Sequence, residues 1–185
     1  MKSDKAILNN LEEETIESRV VWKGRAFSFK SDTILLPDGR IAQKDLVSYP
    51  EAVAIIPFID SENIVLVRQF RYPVGKVLYE IPAGKLDSPD EDIKKAAERE
   101  LQEEIGYYAE KLLYLVSYYS APGYSSEKLH IFRAENLRES TLDPDEDEFI
   151  EKDIVPLKRA YDMIASGEIE DSKTLIALLY IKCFL

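Results

Sequence analysis

The amino-acid sequence predicts an α+β protein, or a sheet sandwiched by helices, headed by a small antiparallel β-meander. Three observations carry that reading. Strand-like runs rich in β-branched and aromatic residues fill 18–48, apolar strands bracket a glutamate-rich helical segment at 84–107, and two further helical patterns close the chain. The order is meander, mixed sheet, helix, sheet, helices, with neither an internal repeat nor a low-complexity linker.

Residues 1 to about 14 are polar and acidic and read as a short helix or frayed arm. Strands follow at 18–22, 27–36 and 41–48, with Pro37-Asp38-Gly39-Arg40 as a hairpin turn. Pro50 breaks the pattern, so we expect a meander over 1–49 and the main domain over 50–185. Residues 52–58 and 64–67 are continuous apolar runs joined through Asp60-Ser61-Glu62-Asn63, which reads as a central hairpin. A short strand at 77–81 precedes Pro82-Ala83-Gly84. The next helix has its start signal in Ser88, Pro89 and Glu91, a capping box, and its stop in Gly106. Strands at 112–119 and 128–133 flank Ser120-Ala121-Pro122-Gly123-Tyr124. An acidic loop, Asp143-Pro144-Asp145-Glu146-Asp147-Glu148, leads to helices at 156–165 and 171–184.

Composition narrows the chemistry. Cys183 is the single cysteine and His130 the single histidine among 185 residues, so neither a disulfide, a thiolate cluster nor a multi-histidine zinc site is available. Cys183 reads as a small core residue. Any metal is then a hard cation on carboxylates, magnesium or else manganese. A net charge of −11 argues against broad binding to nucleic acid or to anionic membrane. No apolar run approaches the ~18 residues of a membrane span. The opening Met1-Lys2-Ser3-Asp4-Lys5 lacks a secretory h-region, and a cytoplasmic location is expected.

The helix carries the sharpest signal. At about 100° per residue, Glu100 and Glu104 fall within the arc of Ile93, Ala96, Ala97 and Leu101, where apolar side chains belong. Burying ionised carboxylates costs several kcal/mol, roughly, unless they are paired or ligate a cation. Glu103 lies at the edge of that face, so three carboxylates converge within one turn. Arg99, four residues before Glu103, is placed to hold it, while Lys95, Glu98 and Gln102 face water. A solvated acidic helix is the ordinary meaning of such runs, but there the carboxylates lie opposite the apolar stripe instead of interrupting it.

Gly84, Glu91, Arg99, Glu100, Leu101, Glu103, Glu104, Gly106 and Tyr107 resemble the Nudix box, G-x5-E-x7-R-E-U-x-E-E-x-G-U, where U is bulky and apolar. Six residues instead of five separate Gly84 from Glu91; the extra one falls in the loop before the helix, where insertion is cheap. Ile81-Pro82-Ala83-Gly84, Gln69-Phe70-Arg71, the PDGR turn and Pro122, fifteen residues past Tyr107, resemble the ADP-ribose pyrophosphatase branch. The resemblance implies a Nudix fold, a mixed sheet between helices in an α/β/α arrangement, with a small N-terminal antiparallel β domain.

It also implies roles. Glu100 and Glu104 would ligate magnesium with the Ala83 carbonyl, and Glu103 would support catalysis or bind a further ion. Glu146 would be the general base and Glu148 an additional metal ligand. Arg71 is expected on a phosphate or ribose, with Arg99 also near the substrate. Phe27, ahead of Trp22 and Phe29, is the favoured aromatic for the base, and Pro122 and Gly123 would border the terminal ribose. The implied reaction is magnesium-dependent hydrolysis of ADP-ribose to AMP and ribose 5-phosphate by a homodimer that exchanges or packs its meander. The rivals are a pyrophosphatase for another nucleoside diphosphate sugar and a non-catalytic ADP-ribose sensor.

Overall fold

The computed structural model describes residues 11–142 and 149–185, which form two compact units. One runs through Pro50 and takes in Ala121–Glu127; the other comprises Glu51–Ser120 and Lys128–Leu185.

In the first unit, β1 (Glu14–Lys23), β2 (Ser28–Leu35) and β3 (Ile41–Ser48) form an antiparallel sheet in that order. Gly39 takes a φ of 85°, a left-handed conformation that closes the turn between β2 and β3. Asp38 fixes the turn by accepting from the Arg40 N–H at 3.1 Å. The 121–127 segment is stitched to β3, with the Val47 N–H donating to Tyr124 O at 2.7 Å and Ser126 N–H to Val47 O at 3.0 Å. Ile34 is the one buried hydrophobic among the described residues of this unit. Three strands are too few to enclose a core of their own.

The second unit holds two sheets. β4 (Ala52–Pro57), β7 (Ala83–Lys85), β8 (Tyr107–Tyr119) and β9 (Lys128–Glu139) form a mixed sheet in the order β7-β4-β9-β8, with β4 parallel to β9. β5 (Asn63–Arg71), β6 (Lys76–Glu80) and β10 (Ile150–Pro156) form an antiparallel sheet in the order β10-β5-β6. Helix α1 (Ile93–Glu100) continues into a π-helical turn (Leu101–Ile105); α2 (Leu157–Ser166) and α3 (Ser172–Phe184) follow β10. This is the expected α+β class and mixed-sheet fold.

The expected central hairpin is corrected. β4 and β5 are joined through an Asp60 turn, in which one carboxylate oxygen accepts from Glu62 and Asn63 N–H at 2.8 Å each, and by a bridge between Phe58 and Ile64. Beyond it they part into different sheets. Both strands are apolar at successive positions, so each needs cover on both faces. Ala54, Ile56, Ile64 and Leu66 share a core with Ala160, Met163 and Leu178 of α2 and α3. Val53, Ile55, Val65 and Val67 pack instead with Ala96, Ala97, Leu101 and Ile105 of the α1 segment.

Other expectations also differ. β10 was hidden in the sequence because Ile150-Glu-Lys-Asp-Ile-Val-Pro alternates weakly; its pairing runs antiparallel to β5 from Ile150 opposite Gln69 to Pro156 opposite Asn63. β8 and β9 extend past their apolar stretches through ion pairs such as Lys111–Glu135 and Arg138–Glu110, at 2.7 and 2.6 Å. Cys183 is exposed, not core. Ile181 is the inward residue of that last turn, and two residues on, about 200° around a helix, Cys183 faces outward.

Candidate active site

The site begins in the loop before α1. The helix is capped by Asp92, whose side chain accepts from the Lys94 and Lys95 N–H groups at 2.9 and 3.1 Å, and not by Ser88 as the sequence suggested. Ser88 instead opens a turn in which Glu91 N–H donates to its carbonyl at 3.1 Å. Glu91 faces away from a capping role: one oxygen accepts from Asp87 N–H at 2.6 Å and the other from Arg99 Nε at 3.4 Å. The residue inserted relative to the family spacing therefore lies in this loop.

Arg99 gathers the box. Its Nη1 donates to Glu100 Oε1 at 2.7 Å and Glu103 Oε2 at 2.9 Å, and its Nη2 to Lys85 O at 3.3 Å, while Asp87 lies 3.6 Å from Nε. Burial alone would lower its affinity for a proton; the Glu100 charge and hydrogen bonds to Glu100 and Glu103 outweigh that and hold it above the ordinary arginine value.

Beyond Glu100 the 100° spacing ceases to apply, because Leu101–Ile105 is a π turn closed by Gly106 at φ 71°, whose N–H reaches back to Leu101 O. Gln102, expected in water, donates through Nε2 to Ser140 Oγ at 2.8 Å. Lys152 of β10 ties down the same turn by donating to Ile105 O at 2.9 Å.

Strand β7 meets the helix at two points. Ala83 N–H lies 3.4 and 3.3 Å from the two Glu104 carboxylate oxygens. Glu100, 7% exposed, covers Gly84 so closely that a Cβ there would fall 2.0 Å from its Oε1. Only glycine leaves that carboxylate its position.

The expected convergence of Glu100, Glu103 and Glu104 takes a different form. Among the described residues no three carboxylate, histidine or cysteine side chains form a ready-made ion cage. Arg99 draws Glu100 and Glu103 to itself, and Glu104 turns to β7. The donors at this end of α1 are nonetheless all hard oxygens beside the Ala83–Gly84 backbone. Divalent ions of the magnesium class take one or two carboxylates plus substrate phosphate oxygens instead of a closed protein cage, so the residues fit.

A second group lies at the end of β5. Arg71 grips Glu80 with two hydrogen bonds, Nε to Oε1 at 2.7 Å and Nη2 to Oε2 at 2.6 Å. These raise its pKa against the cost of burial, and the charges of Glu80, Glu104 and Asp171 add to them. Glu80 is 1% exposed. Burial pushes its carboxyl up, yet hydrogen bonds from Arg71 and the Lys173 charge bring it below the usual 4.5. Lys173 donates to Glu80 and, at 3.1 Å, to Asp171 Oδ1. Sequence reasoning missed Glu80, Asp171, Lys173 and Thr174. A charged residue inside the apolar run Val77–Ile81 was the available signal for Glu80.

The remaining residues sit elsewhere. Phe27, in the first unit, lies 5.5 Å from the Trp22 ring and 6.1 Å, stacked, from Tyr49. Pro122 and Gly123 form the exposed tip of a turn in that unit, closed by Ser125 N–H on Ala121 O at 2.9 Å. Glu146 and Glu148 lie outside the described residues. No helix among those described is long and apolar enough to cross a membrane.

A family model described as NUDIX domain matches residues 48–178. The chain is 37% identical over 177 residues to the ADP-ribose pyrophosphatase of Bacillus subtilis (strain 168), covering 95% of each. It is 38% identical over 173 residues to the methanol dehydrogenase activator of Bacillus methanolicus, covering 92% of this chain and 93% of the other. Among solved structures, a crystal structure of an ADP compounds hydrolase superposes with a TM-score of 0.82 at 27% identity, covering 93% of this chain and 94% of that one. The box on α1, the mixed sheet that presents it and these matches place the chain in one family: it belongs to the Nudix hydrolases.

Proposed function

We propose that this Nudix hydrolase cleaves the diphosphate of ADP-ribose to AMP and ribose 5-phosphate with magnesium, or manganese in its place. The observation that carries the reading is the placement of Glu100 and Glu104 against Ala83–Gly84, with the Arg71 charge acting on Glu104. The end-to-end likeness to a protein named ADP-ribose pyrophosphatase supports ADP-ribose as the substrate.

Glu100, Glu104 and the Ala83 carbonyl, with Glu103 and Glu148, would hold the cation. When bound, it neutralises the diphosphate oxygens and acidifies the attacking water. The chain does the rest. Arg71 uses the nitrogen not engaged by Glu80 to hold a phosphoryl oxygen, and Arg99 keeps Glu100 and Glu103 aimed through its hydrogen bonds to both. Glu146 takes the proton from water as its oxygen attacks phosphorus, and the bridging oxygen leaves with the other phosphate. Phe27 stacks on the adenine, and Pro122 and Gly123 border the terminal ribose. The first unit, with a single buried hydrophobic among its described residues, serves as the dimerisation region of a homodimer.

The test is a product assay across nucleoside diphosphate derivatives with magnesium. AMP and ribose 5-phosphate should form fastest from ADP-ribose. Preference for another nucleoside diphosphate sugar would move the substrate, and tight ADP-ribose binding with no cleavage anywhere would make the chain a sensor. Within that assay, Glu146→Gln should lower kcat by about 100-fold or more with little change in metal affinity. If Glu148→Gln produced that pattern instead, the base would be Glu148.

A further inference from the structure

The start of α3 makes contacts that the reaction above does not use. Asp171 caps the helix, accepting from Thr174 N–H at 3.0 Å, and the Thr174 hydroxyl donates to the same carboxylate oxygen at 2.6 Å. That hydroxyl also accepts from Ile81 N–H at 2.8 Å. Lys173 reaches from the same turn to Glu80 and Asp171. Thr174 and Lys173 are buried, at 0% and 8% exposure. One helical turn thus grips two successive residues, Glu80 by its side chain and Ile81 by its backbone. Glu80 carries Arg71, and two residues past Ile81 stands Ala83, whose N–H meets Glu104.

We propose that Lys173 is a positioning residue for the hydrolysis: through Glu80 it fixes the direction of the Arg71 guanidinium, so that Arg71 presents its remaining nitrogen to the diphosphate. This rests on the phosphate-binding role given to Arg71 above. The charge balance explains why a lysine is required. Two carboxylates, Glu80 and Asp171, face two cations, Arg71 and Lys173. Without Lys173, Arg71 would be the sole cation for both carboxylates and would be drawn from its two-pronged alignment on Glu80. A buried pair left with one partner missing rearranges toward whatever charge remains. Small displacements of this kind far from the reacting atoms cost about 100-fold in rate.

The test uses the full chain with Lys173→Met, Arg71→Gln and the double variant, measuring ADP-ribose hydrolysis with magnesium and the 15N NMR signal of the Arg71 Nε–H. Lys173→Met should lower kcat/KM by about 100-fold and expose the Arg71 Nε–H to rapid solvent exchange. In the Arg71→Gln background it should cost almost nothing further, because both changes remove the same contact. A merely structural lysine would instead give losses that multiply in the double variant, with the Arg71 signal unchanged; that result overturns the proposal. If Arg71→Gln alone leaves kcat/KM intact, the phosphate-binding role of Arg71 fails, while the NMR signal still decides whether Lys173 holds Arg71. Should Lys173→Met fail to fold, Lys173→Gln, which removes the charge but retains a donor for Glu80, should give a smaller loss in kcat/KM that likewise disappears in the Arg71→Gln background, and a loss that multiplies there overturns the proposal.

Discussion

Arg99 and Arg71 each hold carboxylates beside the same glutamate-rich helix, but they are assembled differently. The partners of Arg99 all lie between Lys85 and Glu103, brought together by one helix and the loop before it. Arg71 depends on tertiary structure: β5–β6 pairing supplies Glu80, and the docking of α3 supplies Lys173 and Asp171. The first group draws on one continuous stretch of chain. The second exists only when the C-terminal helix is seated. A site built on both is complete only in the finished fold, which confines its charge cluster to the native state.

The Glu104 charge acts on Arg71, and its carboxylate meets Ala83 N–H. Replacing it should give the largest effect. We expect Glu104→Gln to lower turnover by roughly two to three orders of magnitude, the size of a lost cation contact in a reaction of this kind, with the melting temperature little changed. Near-normal turnover would take Glu104 out of the metal site and leave the two arginine groups unconnected.

The next effect separates the groups by stability. Glu80 is ionised below its ordinary range, so its pairing contributes stability that is fully present above the unfolded value of about 4.5 and is lost as pH falls through the lower, folded value. Breaking a fully buried pair costs about 3–5 kcal/mol. The Arg71 side chain is 39% exposed, which places the loss toward the lower end. Glu80→Gln should therefore melt roughly 6–12 °C below the unmodified protein at pH 7, and the two melting curves should converge on acidification below pH 4.5. A gap that persists unchanged into that range would show that the Glu80 charge is not what seats α3.

The difference between the two groups is also the difference between what could be read from the chain and what could not. Arg99, Glu100, Glu103 and Glu104 announce themselves by spacing, because a helix converts separation along the chain into separation in space. Gly84 is legible by its place in the box, whereas the reason for it, the Glu100 carboxylate packed over its Cα, is a tertiary contact. Lys173 looked like an ordinary polar residue at the start of an apolar helix; that it is buried on Glu80 depends on contacts 93 residues apart. The central apolar runs read as strands, but periodicity carries no information on which sheet each joins. Ile55 and Val65 share a core without sharing a sheet.

Even within the local group, spacing alone misplaced the helix start, and the smallest expected effect tests this. Ser88-Pro89-Asp90-Glu91 has the composition of a capping box, but Asp92 is followed directly by the first helical residue and its carboxylate takes two of the unpaired N–H groups. Asp92→Ala should cost about 1 kcal/mol, a fall of roughly 2–4 °C in melting temperature. Ser88→Ala should be nearly silent, since the exposed Ser88 takes part through its backbone carbonyl. Because Glu91 braces the loop and Arg99 without capping the helix, Asp92→Ala should also leave hydrolysis almost unchanged in the folded protein. The reverse ranking, with Ser88→Ala the costlier, would move the helix start back into the loop and break the assignment of Glu91 to Arg99.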